Sequence, residues 1–400
     1  MNCIVAIEER FTLRDGKPAS PGYSYERFWR RYLEVFESVI VVGRLSHRED
    51  LSAVPIEGKG VRFFPLPTYI GPWQYLQNLA ELKRKIKLLL KQEQKAILIL
   101  RLPGIIGGLI WGEIHGTGRP YAVEVVGDPF DVFAPGVVSH PLRPFFRWLF
   151  TCRLKQQCIE ASAVSYVTEA SLQRRYPPSP GAFSTYYSDI YLNSAFFAST
   201  PKTVLKRKKD SYILITVGSM AQLYKGQDVL IKAVAMCVAK ELDLHLVLIG
   251  DGRYRKILEK QSKASGLSER VSFLGQLQAG ESVQRELDRA DLFILPSRTE
   301  GLPRAMIEAM ARGLPCIGSA IGGIPELLPP EDLVSPDDAA GLAGKIQDVV
   351  TNPERMAHMA ARNLEKAHEY REEMLRNRRV MFYQKTREIA ERWLDDAVKK

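Results

Sequence analysis

The chain has 400 residues, of which 46% are apolar and 26% charged, and its formal net charge is +10. That length exceeds one ordinary hydrophobic core and predicts two domains of roughly 200 residues, while the composition excludes a disordered or fibrous chain. No apolar run approaches the ~20 residues that span a bilayer, and the start MNCIVAIEERF lacks a signal-peptide layout.

The five cysteines form no CxxC pair, which predicts reduced thiols. The six histidines form no HExxH or HxH cluster, so no protein-built metal site is expected. The expected location is cytoplasmic, either free or peripheral on the inner face of the cytoplasmic membrane.

Short β-branched runs alternate with longer amphipathic stretches, the pattern of βα units and a parallel sheet. In the first half, strands are predicted at residues 4–7, 39–42, 62–64, 97–100, 121–126 and 163–167. Leu79, Leu82, Ile86 and Leu89 recur at threes and fours and predict a helix over 78–92, with Lys83, Arg84, Lys87 and Lys91 on its opposite face. Residues 59–155 hold 14 Lys/Arg against 6 Asp/Glu, a local excess of eight. An anionic partner such as a membrane surface is one reading of that patch, and a merely solvated surface is the other.

Residues 200–210 (TPKTVLKRKKD) read as a domain linker. Strands then resume at 213–217, 245–249, 271–274, 292–295 and 316–317, and the charged end from about 353 is predicted to be helical. The expected domains are 1–198, 199–372 and a terminal helix over 373–400 that packs back on the first. The fold class is α/β, with two doubly wound domains facing across a cleft.

In open parallel sheets, ligands bind beyond the carboxyl ends of strands. That rule selects Glu8, Glu9 and Arg10; Arg101; Gly127 and Asp128; Thr168 and Glu169; Gly218 and Ser219; Gly250, Asp251 and Gly252; and residues 297–300. The densest segment is ILPSRTEGLPRAMIEAMARGLPCIGS, residues 294–319. A buried strand ends at Pro296, Pro303 is placed as the first helical residue, and Gly313 and Pro315 close the helix. The backbone N–H groups of residues 301–304 then form an anion site suited to a diphosphate. Glu300 and Glu308 suit vicinal hydroxyls, because carboxylates accept hydrogen bonds from hydroxyls and repel phosphate. Taken alone, the two glutamates also fit a plain βα unit with Glu308 solvated.

The full string resembles the family-four glycosyltransferases of the GT-B fold, whose signature is two glutamates seven residues apart within E-G-[FL]-x…E-A-M-A-x-G-x-P. Here it stands as Glu300, Gly301, Leu302, Glu308, Ala309, Met310, Ala311, Gly313 and Pro315. VGSMAQLYKGQDVLIKA from residue 217 looks like the family's strand–loop–helix, which assigns Lys225 to the donor phosphates. GGIPELL from residue 322 matches the glycine pair after the next strand. The resemblance implies two Rossmann-like domains and retaining sugar transfer, from a nucleoside diphosphate sugar to a hydroxyl acceptor, without a metal or other cofactor. The donor set it implies is Gly22, Gly218, Ser219, Lys225, Gly250, Gly252, Arg298, Glu300, Gly301, Leu302, Pro303 and Glu308.

Two departures stand out. Gly218-Ser219 replaces a Gly-Arg pair, so Lys225 or Arg298 would carry the phosphate charge. Val126 occupies the place of a usual histidine, leaving Asp128 either near the acceptor hydroxyl or as a turn residue before Pro129. Lys225, Glu300 and Asp128 are the expected catalytic residues, and Arg101 and Asp128 the expected acceptor contacts.

The acceptor is a saccharide, free or lipid-linked. PWQY from residue 72 and RPFFRWLF from residue 143 fit either docking at an anionic membrane or plain core packing. A sugar-nucleotide epimerase on the same fold is the alternative enzyme. Nucleic-acid binding lacks any recognisable module and is not expected.

Overall fold

The computed structural model describes the whole chain except residues 135–136, 138–139, 203–210, 279 and 399–400. Most of the expected linker, 203–210, thus lies outside the described residues. In chain order the first half runs β1 (Asn2–Arg14), β2 (Lys17–Ser20), β3 (Ser38–Glu49), β4 (Val54–Pro55), β5 (Val61–Pro67), α1 (Gly71–Gln92), β6 (Ile97–Leu102), α2 (Ile105–Ile114), β7 (Ala122–Val125), α3 (Pro129–Val132), α4 (Arg143–Glu160), β8 (Ala163–Tyr166), α5 (Ser171–Arg175) and β9 (Phe183–Tyr186). The second half runs β10 (Tyr212–Val217), α6 (Gln227–Val238), β11 (Leu244–Ile249), α7 (Arg255–Ala264), β12 (Val271–Gly275), α8 (Glu281–Arg289), β13 (Leu292–Leu295), α9 (Arg304–Ala311), β14 (Cys316–Ser319), β15 (Leu333–Val334), α10 (Ala339–Val350), α11 (Pro353–Ala367) and α12 (Glu372–Val398). Among the described residues no helix is long and apolar enough to cross a membrane.

The chain divides into two units, one of Met1–Gly127, Leu149–Tyr187 and Arg376–Lys400, the other of Asp128–Trp148 and Ser188–Leu375. Contacts therefore group residues 128–148 with the second unit, where the sequence placed them in the first domain.

In the first unit a parallel run β5-β3-β1-β6-β7-β8-β9 is extended by β2, antiparallel to β1, and by β4, antiparallel to β2. Strand order reverses between β1 and β6. The helices cover this sheet through apolar faces, as the buried Leu82, Ile86 and Leu89 of α1 and Ile106 and Ile110 of α2 show. The second unit is a six-stranded sheet ordered β12-β11-β10-β13-β14-β15, with every pairing parallel. Its core draws on Val229, Leu230 and Val234 of α6 and Leu342 and Ile346 of α10.

Several boundaries differ from the sequence reading for identifiable reasons. β1 extends to Arg14 because its pairing with β3 resumes at Arg10 after a bulge, so Glu8, Glu9 and Arg10 lie inside a strand. Glu8 still reaches the sheet's ligand edge, accepting from Tyr69 Oη at 2.8 Å and from Ile106 N at 2.9 Å. Beyond β1, Asp15 and Gly16 adopt positive φ and turn the chain into β2. Gly22 follows that strand, its N–H donating to Ser20 Oγ at 3.1 Å, and a side chain there would meet nothing. No local constraint calls for glycine at that position. α1 begins at Gly71, seven residues earlier than the periodicity implied, with Pro72 in its first turn.

Arg101 is the clearest correction. It was placed beyond a strand as an acceptor contact, yet it lies within β6 and is only 2% exposed. Its guanidinium pairs with Glu124, its register neighbour on β7 and equally buried. A charge taken out of water needs partners on every side, and Glu124 has them. It accepts from Tyr187 Oη at 2.7 Å, Tyr32 Oη at 3.0 Å and Tyr383 Oη, on α12, at 3.3 Å. Burial first, and then the nearby Glu124 charge, push the Tyr187 and Tyr32 phenols up, so they stay protonated and donate. Tyr383 is raised as well, with burial again the main cause.

Replacing Arg101 with Met would strand the Glu124 charge. The expected cost is about 3–5 kcal/mol, read as a lower melting temperature. An unchanged melting temperature would show that the pair does not support the fold.

Candidate functional site

In the second unit, β11 and β12 lie on one side of β10, while β13, β14 and β15 lie on the other. Strand order reverses between β10 and β13, and at such a switch point the loops leave on opposite sides and open a crevice. The segments following these two strands carry most of the predicted residues.

After β10 the chain passes Gly218 and Ser219 and closes a single 3-10 turn, Leu223–Lys225, with Gly226 at φ +70°. After β13 come Ser297 and Glu300. Lys225 Nζ donates to Glu300 Oε1 at 2.6 Å, joining residues 75 apart in sequence. Their side chains are 18% and 7% exposed, so the pair is shielded from bulk water but still reachable. The same Oε1 accepts from Ser297 Oγ at 2.7 Å, and Ser319 Oγ donates to the Ser297 carbonyl. Gly218 leaves room for the Lys225 stem, because a β-carbon there would stand 3.1 Å from Lys225 Cγ. The ammonium is thereby aimed from one side of the switch point and the carboxylate from the other.

Backbone contact fixes the loop after β13 to the loops after β10 and β14. Arg298 N donates to Tyr224 O at 2.7 Å, and Gly323 N to Gly301 O at 2.7 Å. A β-carbon on Gly226 would collide with the Pro296 carbonyl, and one on Gly322, at φ +57°, with the Glu300 carbonyl. Both positions thus require glycine for conformation and for space. Gly250 and Gly252 answer a similar need. A side chain on Gly250 would strike the Gly218 carbonyl, and one on Gly252 the backbone of Met220 and Ala221. These two glycines pack loop on loop, which accounts for them without a ligand.

Arg298, expected on the donor phosphates, is committed elsewhere. Its guanidinium is bidentate on Asp228 at 2.8 Å and 2.8 Å, meets Asp337 at 2.7 Å and donates to the Leu223 carbonyl. Those contacts occupy its donor fork, so Arg298 ties β13's loop to the start of α6 and leaves the phosphate charge to Lys225. Ser219, in place of the usual arginine, accepts from Ala221 N at 3.1 Å.

Pro303 is the N-cap of α9 and not its first helical residue, with φ −75° and ψ 105°. The helix begins at Arg304, and its first N–H groups have no intrahelical acceptor. Leu302 is buried beside it. Glu308 lies one turn further along, and burial pushes its carboxyl above the ordinary range against the opposing pull of Arg304.

Asp128 is 6% exposed and caps α3, accepting from Phe130 N at 2.9 Å. That is the turn role before Pro129, and it accounts for the residue locally. The structure therefore brings Lys225, Glu300 and the start of α9 together, while Arg101 and Arg298 serve the fold and Asp128 caps α3. Sequence reasoning selected Ser297 as a strand-end candidate but not its part in orienting Glu300, and it missed Asp228, which holds Arg298. It also missed Gln227, whose side chain donates to the Gly218 and Ser219 carbonyls at 3.3 Å each.

Residues 200–366 match the family model described as glycosyl transferases group 1. Protein CapJ of Staphylococcus aureus is 26% identical over 331 residues, covering 81% of this chain and 80% of that protein. A GDP-mannose-dependent monoacylated alpha-(1-6)-phosphatidylinositol monomannoside mannosyltransferase of Corynebacterium glutamicum is 31% identical, over 50% of this chain and 56% of its own length. Among solved structures, sucrose-phosphate synthase from Thermosynechococcus elongatus superposes with a TM-score of 0.72 at 20% identity, covering 96% of this chain and 98% of that one.

Gly322→Ala is expected to separate the loops after β13 and β14 and cost about 1–3 kcal/mol in chemical denaturation, from positive φ and the carbonyl collision. Gly344→Ala, in open space on α10, is the control and should be neutral or stabilising. Equal effects at the two positions would remove the packing argument.

Proposed function

Starting from a chain that belongs to the group 1 glycosyl transferases and has the GT-B fold, we propose that it moves a sugar from a nucleoside diphosphate sugar to a hydroxyl acceptor with retention and without a metal ion. The observation that carries this reading is the Lys225–Glu300 pair at the switch point of the second unit, beside the open N-terminus of α9.

The chemistry follows from charge. As the bond from the anomeric carbon to the diphosphate oxygen breaks, negative charge grows on the leaving phosphate. Lys225 and the first N–H groups of α9 stabilise it from fixed positions in a shielded crevice. Glu300 would exchange its lysine contact for hydroxyls of the sugar, and Glu308 would accept from the ribose hydroxyls. The acceptor oxygen bonds to the anomeric carbon on the face the diphosphate leaves, and its proton passes to a leaving phosphate oxygen. Glu300 is held by Lys225 and Ser297, which favours this route over covalent capture by a nucleophilic carboxylate. The Corynebacterium relative, a monoacylated phosphatidylinositol monomannoside mannosyltransferase, supports a lipid-linked saccharide acceptor. All five cysteines are free thiols, in keeping with a reducing, cytoplasmic setting.

Lys225→Ala, Glu300→Ala and Glu308→Ala should each lower donor-dependent turnover by at least tenfold, while EDTA leaves the wild-type rate unchanged. Normal rates in folded Glu300→Ala and Glu308→Ala proteins would sink the assignment, as would loss of activity in EDTA.

Glu308 also predicts a pH dependence. Its raised carboxyl takes up a proton above the usual glutamate range, and that proton must leave before the carboxylate accepts ribose hydroxyls. Nucleotide affinity should therefore weaken on acidification before ordinary carboxylates titrate, and Glu308→Gln should flatten the profile. The same slope in both proteins would remove Glu308 from the ribose.

A further inference from the structure

α1 has two faces with different chemistry. Leu82, Ile86 and Leu89 are buried on the inner one. On the outer one Trp73 is 78% exposed, Leu76 57% and Leu88 45%, and Ile70, just before the helix, is 65% exposed. Trp73, Leu76, Ala80, Arg84, Lys87, Leu88 and Lys91 recur at steps that keep them on a single stripe, about 27 Å long at ~1.5 Å per residue. Lys83 borders it. The helix holds five cations, and Glu81 is its single acid. Lys85 approaches Glu81 at 3.7 Å and Lys87 approaches Glu113 at 3.6 Å. Among the described residues, Lys83, Arg84 and Lys91 reach no carboxylate.

We propose that this outward stripe of α1 docks the protein in the plane of an anionic phospholipid surface. Exposed apolar side chains scattered singly need no explanation, but here three share one stripe with three cations, and a fourth borders it. An in-plane interfacial helix needs that interleaving. Trp73, Leu76 and Leu88 enter the headgroup boundary, while the lysine and arginine stems run along it and keep their charges among the phosphates. Tryptophan is the side chain best suited to that depth, being apolar in body with one polar edge. A nucleic acid would use the cations and leave Trp73 and Leu76 in water. The proposal extends the lipid-linked acceptor reading, but its test measures binding and not transfer, so the two fail separately.

The test is co-sedimentation of the full chain with vesicles of phosphatidylcholine alone, or of phosphatidylcholine containing phosphatidylglycerol. Binding is expected only to the anionic vesicles and should fall steeply as salt is raised. Trp73→Ala with Leu76→Ala, and separately Lys83→Glu with Arg84→Glu and Lys91→Glu, should each reduce the bound fraction by about tenfold or more. All five positions are solvent-facing, so an unchanged melting temperature certifies each variant as folded. The proposal is overturned if wild type binds neither vesicle, or if it binds phosphatidylcholine equally well. It is also overturned if the α1 variants sediment like wild type, which would place docking elsewhere, for example at the exposed Phe145 and Trp148 of α4.

Discussion

The site depends on one contact, the bond from Lys225 Nζ to Glu300 Oε1 across the switch point of the second sheet. An ammonium and a carboxylate this shielded need each other as partners, so each fixes where the other points. The surrounding loops serve that geometry. Ser297 supplies a second hydrogen bond to the same oxygen, and Gly218 gives the lysine stem its channel. Gly226 lets the loops after β10 and β13 touch at backbone distance, and Gly322 those after β13 and β14. In the proposed reaction a phosphate arriving at this pair would meet a cation already in place, and a hydroxyl an acceptor already aimed, so little reorganisation would remain.

The first unit is built on a related device used for a different end. Arg101 and Glu124 also pair across neighbouring strands, but at 2% exposure no ligand reaches them. Three tyrosines close the remaining acceptor positions of Glu124, and one of them, Tyr383, comes from the terminal helix. The stacking of Tyr383 on Tyr32, with ring centroids 4.7 Å apart, explains why residues beyond 376 belong with the first unit. The two ion pairs thus differ in access far more than in chemistry, and access separates the candidate site from the scaffold.

The architecture of alternating strands and helices was legible in hydrophobic runs, and the donor-side loops in the motif over residues 294–319. Lys225 could be selected only through the resemblance of residues 217–233, and Glu300 through its place after a buried strand and the motif around it; that the two side chains meet is visible only in the folded chain. Arg298 also follows a strand, yet its partners Asp228 and Asp337 lie 70 and 39 residues away, and only the folded chain shows that its donors are taken. Arg101 misled because an arginine at the end of ILILR looks like the end of a strand. The available signal was its match to Glu124, an opposite charge inside another wholly apolar run. The start of α1 was hidden for a third reason, since Trp73 and Leu76 are apolar but face outward, out of phase with the core stripe.

The proposed function places the donor in the second unit, between the loops after β10 and β13. Amide hydrogen exchange, with and without a nucleoside diphosphate that raises the melting temperature, tests this most directly. Slowed exchange confined in the second unit to residues 218–227 and 297–305 is the predicted result. Binding that leaves those segments unprotected, or that protects the first unit alone, would contradict it.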